Sequence, residues 1–383
     1  MDNREIKSKI ILTGGGTGGS VTPLLAVAQE LWREEDNLDL IFVGGQSGPE
    51  QEMVANFSVS GRQLRFIAII AGKWRRYFSG RNFLDIFLVI GAFFQSLSLL
   101  RKEKPNLVIS AGSFVSVPLV WAAACRKIPI IIHQQDARPG LANRLMAPTA
   151  RVVTVNFEKS LIDYGPRAVW VGNPLMVEKI NDPESVKLSV REEYQLDSHR
   201  PLIVLTGGRL GAKSLNELLW SSRQFLIDYQ IIILCGDGKN PVGPKENIPD
   251  NYKILEFLSH EKTWELISAA DLVITRAGLG ILTELSLLGK PAIIIPIPNS
   301  HQEDNAAVFS RAEAAVVLDQ KTATPETLVR TIGEILNGPG KKEKLVNNIS
   351  HVIKREAARS LAGIIWEILR GSEDAEENVK NYR

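Results

Sequence analysis

Cysteine is nearly absent from these 383 residues: there are two, Cys125 and Cys235, in separate halves and in apolar surroundings. That excludes a disulfide framework or a thiolate zinc site and points to reducing conditions. An excess of one charge is also lacking. A net charge of +2 excludes a chain that binds nucleic acid through its overall field. No apolar run is long enough to span a bilayer. The one segment resembling a span, Leu84 to Leu100, has 17 residues and includes Asp85, Gln95, Ser96 and Ser98, whereas a span needs ~20 apolar residues. A buried or interfacial helix is expected there. The N-terminus is polar and charged, unlike a secretion signal. No D-x-D stands at a strand end and no metal cluster is evident. Phosphate charge would then be met by helix N-termini, glycine amides and Arg209, with no held divalent ion.

Glycine, by contrast, is concentrated. Residues 12–25 read LTGGGTGGSVTPLL, a five-glycine turn between the apolar strand Lys9 to Thr13 and an apolar helical pattern from Val21. Such a turn brings backbone N–H groups to a ligand at a helix N-terminus, which suits a phosphate or a sugar-diphosphate. Gly14, Gly16 and Gly19 match G-x-G-x-x-G, but the second strand, Leu38 to Val43, ends in Gly44-Gly45 without the acid that a nicotinamide ribose requires. Gly14 and Gly19 have P-loop spacing, yet Ser20 stands where the lysine belongs.

Short β-branched runs alternate with helical stretches throughout. Strands are expected at 9–13, 40–44, 65–70, 106–110, 129–133, 151–155 and 168–172, then at 201–208, 230–236, 253–258, 271–275, 291–297 and 314–319. Both halves open with a strand and a glycine turn, LTGGGTGG and LTGGRLGA. The pattern predicts an α/β chain of two doubly wound, parallel-sheet, Rossmann-like domains. A boundary is expected at residues 173–189 and a frayed charged tail at 372–383. A ligand would face the carboxyl ends of both sets of strands.

The chemistry-bearing segments all follow strands. Arg276-Ala277-Gly278-Leu279-Gly280 opens a helix suited to a diphosphate, and Glu284 in its first turns can accept two ribose hydroxyls or simply favour the helix dipole. His301, Gln302 and Asn305 offer paired donors and acceptors on a loop suited to sugar hydroxyls. In the first half, HQQDARPGLANR (133–144) supplies His133 and Asp136, the titratable pair placed for proton removal; a structural histidine and a helix-capping aspartate are the alternatives. Cations alternate with aromatics in KWRRYFSGR (73–81), which suits an anionic membrane surface or a solvated loop.

Together these pieces resemble the MurG family: GGTGG (15–19), AGSFVS (111–116), HQQDARPGLANR, GNP (172–174), TGGRLGA (206–212), RAGLGILTE (276–284) and HQEDNA (301–306). The resemblance implies an inverting GT-B glycosyltransferase whose two domains face each other across a cleft. It implies a lipid-linked muramoyl pentapeptide acceptor on residues 1–174, with a helix near 351–371 packing back on them. UDP-N-acetylglucosamine would bind residues 175–350. On the donor side it implies Thr17, Gly18, Gly19, Asp136, Arg209, Leu258, Leu279, Gly280, Ile281, Leu282, Thr283, Glu284 and Gln302. On the acceptor side it implies Gly16, Ser20, Ser113 and Asn143. Asp136 or His133 is expected to take the acceptor proton. The peripheral site, on the cytoplasmic face of the membrane, would run from Lys73 to Leu100.

Three departures stand out. Ser20 replaces a histidine that typically follows GGTGG, and a serine needs its own activator to act as a base. The family's H-E-Q-N reads H-Q-Q-D here, and Met176 replaces an arginine whose charge Arg209 is expected to restore. The rival readings are another GT-B transferase, a UDP-N-acetylglucosamine 2-epimerase, and a non-catalytic sugar-nucleotide-binding protein.

Overall fold

The computed structural model describes residues 8–35, 37–70, 81–176, 182–208, 211–243 and 246–371, side chains 81–87 excepted. The chain divides into two compact units, Met1–Met176 with Lys354–Arg383, and Val177–Ile353.

The first unit contains β1 (Lys9–Thr13), β2 (Asp39–Gly45), a small hairpin of β3 (Ser58–Val59) and β4 (Arg62–Gln63), then β5 (Arg65–Ile69), β6 (Leu107–Ser110), β7 (Ile130–Gln134), β8 (Val152–Val155) and β9 (Ala168–Trp170). Seven of these form a parallel sheet in the order β5-β2-β1-β6-β7-β8-β9. Alternating side chains serve opposite layers: Ile10 and Leu12 join one core cluster, Ile11 the other. Because helices cover both faces, the strands read as continuous β-branched runs. The hairpin turns on Ser60 and Gly61, both at positive φ (50° and 79°), as a two-residue type I′ turn requires.

The helix Ala357–Arg370 belongs to this unit. It buries Leu361, Ala362, Ile364, Ile365 and Ile368, a helical i, i+3, i+4, i+7 stripe, in the cluster that holds Leu24, Val27 and Leu31 of the helix Thr22–Glu34. The returning chain passes Gly172, where φ is +87° and a side chain would collide with the Lys354 carbonyl.

The second unit contains β10 (Leu202–Thr206), β11 (Gln230–Leu234), β12 (Tyr252–Leu255), β13 (Leu272–Thr275), β14 (Ala292–Ile294) and β15 (Val316–Val317), parallel in the order β12-β11-β10-β13-β14-β15. All thirteen expected sheet strands form. The stretches 168–172, 201–208, 230–236, 253–258, 291–297 and 314–319 overshoot by two or three residues at their carboxyl ends. In each sheet the chain works outward to one side of its first strand and then returns to the other. The strand order therefore reverses between β1 and β6, and again between β10 and β13. These are the points at which open α/β sheets bind ligands, at strand carboxyl ends.

The expected helix around Leu84 to Leu100 runs from Arg81 to Glu103. One face, Ala92, Ser96 and Leu100, is buried, while Leu88, Ile90 and Phe94 are exposed. No helix among the described residues is long and apolar enough to cross a membrane.

Candidate functional site

At the reversal point of the first unit, the glycine turn after β1 lies beside the loop after β6. The inner part of the turn, Gly14 and Gly15, is buried, whereas Gly16, Thr17 and Gly19 are exposed. Gly16 takes a left-handed φ of +77°, which glycine adopts without strain. Ser20 closes the turn from within: its Oγ accepts from the Gly15 N–H at 3.0 Å and donates to the Gly15 carbonyl at 2.9 Å. Ser113, itself at φ 82°, places Oγ 3.7 Å from the position a Gly16 Cβ would occupy. Asn143 donates from Nδ2 to Gln134 Oε1 at 2.6 Å. Its buried Oδ1 has no partner among the described residues and stands 3.1 Å from where a side chain on Gly112 would begin. Gly16, Gly112, Ser113 and Asn143 thus line one wall.

His133 and Asp136 are separated by environment. His133 is the fourth residue of β7 and 0% exposed. Its Nδ1 lies 3.0 Å from Thr154 Oγ1 and its Nε2 3.5 Å from Asn173 Oδ1. Burial drives its pKa down to about 4, so the ring is neutral near pH 7. This is the histidine of a packed sheet, with both nitrogens engaged. Asp136, past the end of the strand, is half-buried. It does not cap the following helix, whose N-cap is Gly140. Gln134 braces the loop, donating to the Asp136 carbonyl at 2.8 Å and the Arg138 carbonyl at 3.2 Å while its Oε1 accepts from Tyr164 at 2.9 Å.

In the second unit, Arg276 follows β13 at 7% exposure. Its guanidinium donates to the Ile295 and Pro296 carbonyls at 2.9 and 3.2 Å and to Ser214 Oγ at 2.7 Å. Burial lowers its pKa. The helix Leu279–Leu288 starts beside it at Gly278 with no capping side chain, leaving N-terminal N–H groups to a ligand. Glu284 of that helix is 9% exposed, and burial raises its pKa to about 7. His260 Nδ1 lies 3.8 Å from its Oε1. Residues 301–306 are not on a loop: Ser300 caps a helix from His301 to Arg311 by accepting from the Gln302 N–H, and acids in its first turn favour helix there. Gln302 Oε1 accepts from the Ala277 and Ile297 N–H groups, both at 3.2 Å. That fixes its amide so that the NH₂ is what remains for a ligand. Leu258 is half-buried in the turn between β12 and the helix His260–Ala269.

Two family domains match this chain: the glycosyltransferase family 28 N-terminal domain over residues 10–155 and the C-terminal domain over residues 202–361. The chain belongs to glycosyltransferase family 28. It is 34% identical to the UDP-N-acetylglucosamine–N-acetylmuramyl-(pentapeptide) pyrophosphoryl-undecaprenol N-acetylglucosamine transferase of Clostridium kluyveri, over 93% of this chain and 98% of that one. The crystal structure of Acinetobacter baumannii MurG superposes with a TM-score of 0.72 at 25% identity, covering 94% of this chain and 99% of that one. A UDP-N-acetylglucosamine 2-epimerase superposes at 0.63 with 12% identity, over 95% and 96%, a likeness of fold alone. The two parallel sheets are those of a GT-B glycosyltransferase.

Within this family 28 chain, two residues escaped the sequence reading. Arg276 was visible in RAGLGILTE but only as part of a glycine loop. Glu50 carried no signal at all, and is buried beneath the first turn. Met176 packs against the core of the first unit. Arg209 and residues 73–80, including Arg75 and Arg76, lie outside the described residues, as do residues 372–383.

Proposed function

We propose that this family 28 enzyme transfers N-acetylglucosamine from UDP-N-acetylglucosamine to the 4-hydroxyl of the muramoyl sugar of a polyprenyl-diphosphate-linked muramoyl pentapeptide, inverting the anomeric centre. The donor site lies within residues 175–350 and the acceptor site within residues 1–174. The observation that carries this is the second reversal point. A buried arginine, an uncapped helix N-terminus, a buried carboxylate and an oriented glutamine amide converge after β13. The helix N-terminus and Arg276 favour the diphosphate and the charge that develops on it as UDP leaves. Ionised Glu284 accepts from the ribose hydroxyls, and the Gln302 amide donates to the sugar.

In the acceptor unit, Asp136 takes the proton from the attacking hydroxyl. His133, buried and neutral, holds the strand end in place. Gly16, Ser113 and Asn143 meet the acceptor sugar, and Asn143 Oδ1, which has no partner among the described residues, accepts from a hydroxyl. Thr17, Gly18 and Gly19 approach the transferred sugar.

The enzyme attaches peripherally at the cytoplasmic face of the membrane; the attachment itself is supported by exposed Ile90 and Phe94, on the helix face opposite buried Ala92 and Ser96, since such apolar faces bury into the headgroup boundary. Replacing Phe94 with serine should reduce sedimentation with anionic liposomes; undiminished binding would reject that surface.

The deciding experiment combines radiolabelled UDP-N-acetylglucosamine with the lipid-linked muramoyl acceptor. Acceptor-dependent label in the lipid fraction is the expected result. Turnover of the UDP-sugar without acceptor would instead favour an epimerase, and binding without transfer a non-catalytic protein.

A further inference from the structure

Glu50 is a buried acid to which neither nucleotide binding nor proton transfer gives a role. It is 2% exposed in the first turn of the short helix Pro49–Ala55. Among the described residues no cation pairs with it. Its two oxygens are taken up by backbone instead: Oε1 accepts from the Gly45 N–H at 3.0 Å and Oε2 from the Gly16 N–H at 3.1 Å. Room for the carboxylate is made by glycine, since a Cβ at Gly15, Gly44 or Gly48 would run into the Glu50 side chain. A carboxylate removed from water without a counter-ion is costly, and hydrogen bonds to an ionised acceptor are among the stronger offsets.

The geometry says what those bonds accomplish. Gly45 ends β2 and Gly16 lies in the turn after β1, so Glu50 ties the carboxyl ends of two neighbouring strands. The inner amides of the turn are both occupied, Gly15 by Ser20 and Gly16 by Glu50. The N–H groups of Thr17, Gly18 and Gly19 have no partner among the described residues. They begin where the bracing stops.

We propose that Glu50 is a positioning residue for glycosyl transfer. Through the Gly16 N–H it fixes the orientation in which Thr17, Gly18 and Gly19 present their amides to the transferred sugar, touching neither substrate itself. The assignment rests on the transferase reading.

The test uses the full-length enzyme and two variants. Glu50→Gln keeps the shape but can accept from only one of the two N–H groups. Gly48→Ala leaves the charge in place and displaces the carboxylate. Three quantities are read: transfer rate per UDP-binding site titrated by calorimetry, the UDP dissociation constant, and hydrogen exchange at the Gly16 amide compared with β1. For both variants the expected result is a kcat at least tenfold lower, UDP affinity within about twofold of wild type, and faster exchange at Gly16 with β1 still protected. A mere loss of folded protein would accelerate exchange in β1 as well. Should Glu50→Gln fail to fold, Gly48→Ala decides alone. Wild-type kcat in a folded variant, or unchanged exchange at Gly16, overturns the proposal. If the wild-type enzyme transfers nothing, the transferase reading fails first and takes this role with it.

Discussion

The two points of strand reversal follow one plan, and the side chain that braces the backbone behind the turn is a glutamate in one and an arginine in the other. Behind the glycine turn of the first unit sits Glu50, 2% exposed and bonded to backbone N–H groups. Behind that of the second sits Arg276, 7% exposed and bonded to backbone carbonyls. The first turn spends its inner amides on its own side chains, Ser20 and Glu50. The helix that opens the second site is capped by none. Under the proposed function, the anionic nucleotide goes with Arg276 and the uncapped helix, and the acceptor hydroxyl with Asp136.

The largest effect expected is on the acceptor side. Asp136→Asn should lower kcat by about 10²–10⁴-fold while leaving UDP affinity, measured by calorimetry, near wild type. A parallel collapse of UDP binding would break the division of labour between the two units. Next come Glu284→Ala and Arg276→Gln, each expected to weaken UDP binding by about 10–100-fold through loss of a charged hydrogen-bond partner. Because burial raises the Glu284 pKa to about 7, wild-type affinity for UDP should fall as pH is lowered through 7, and the fall should be smaller in Glu284→Gln, where only the UDP phosphate, near ~6, still titrates. The sign for stability is opposite. This contribution is complete below the ordinary carboxyl value and lost as pH rises through about 7, so unliganded Glu284→Gln should outlast wild type at pH 8.

Smaller is the effect of His133. Its pKa is depressed to about 4, so the stability it lends is present above ~6.5 and lost as pH falls through the folded value. Over that interval the loss is roughly 3 kcal/mol. Urea titrations at pH 7 and pH 4 should reveal it in wild type, with less pH dependence in His133→Gln. Smallest is Ser20→Ala, which removes one buried hydroxyl from the turn, about 1 kcal/mol, with less than a tenfold loss of kcat. A thousandfold loss would mean that Ser20 does chemistry.

The sheets were legible because their central strands are buried on both faces and so read as unbroken apolar runs, Lys9–Thr13 among the clearest. The β3–β4 hairpin was not, since strands of two residues such as Arg62–Gln63 carry no periodicity. Both glycine turns could be read from composition and position. Glu50 could not: it lies in the polar stretch GPEQEM, 34 residues from the glycine whose amide it holds, and only the pairing of β1 with β2 brings the two together. His133 shows the converse. Its ionisable ring was plain in the sequence, but its environment was decided by Thr154 on the next strand and Asn173 beyond. Residues 301–306 read as a polar loop because their helix is amphipathic only weakly, and Ser300 was needed to mark its start.

The terminal helix Ala357–Arg370 gives the first unit a peculiar birth order. Its core takes residues from both ends of the chain, with the whole second unit inserted between them. On the ribosome, the second unit has its complete sequence before the first does. The unit begun earliest must hold Leu24, Val27 and Leu31 without their partners until the last helix has emerged. A nascent chain stalled just after Ile353, or one clipped there by a protease, would keep every residue of the second unit but leave an apolar stripe uncovered on the first.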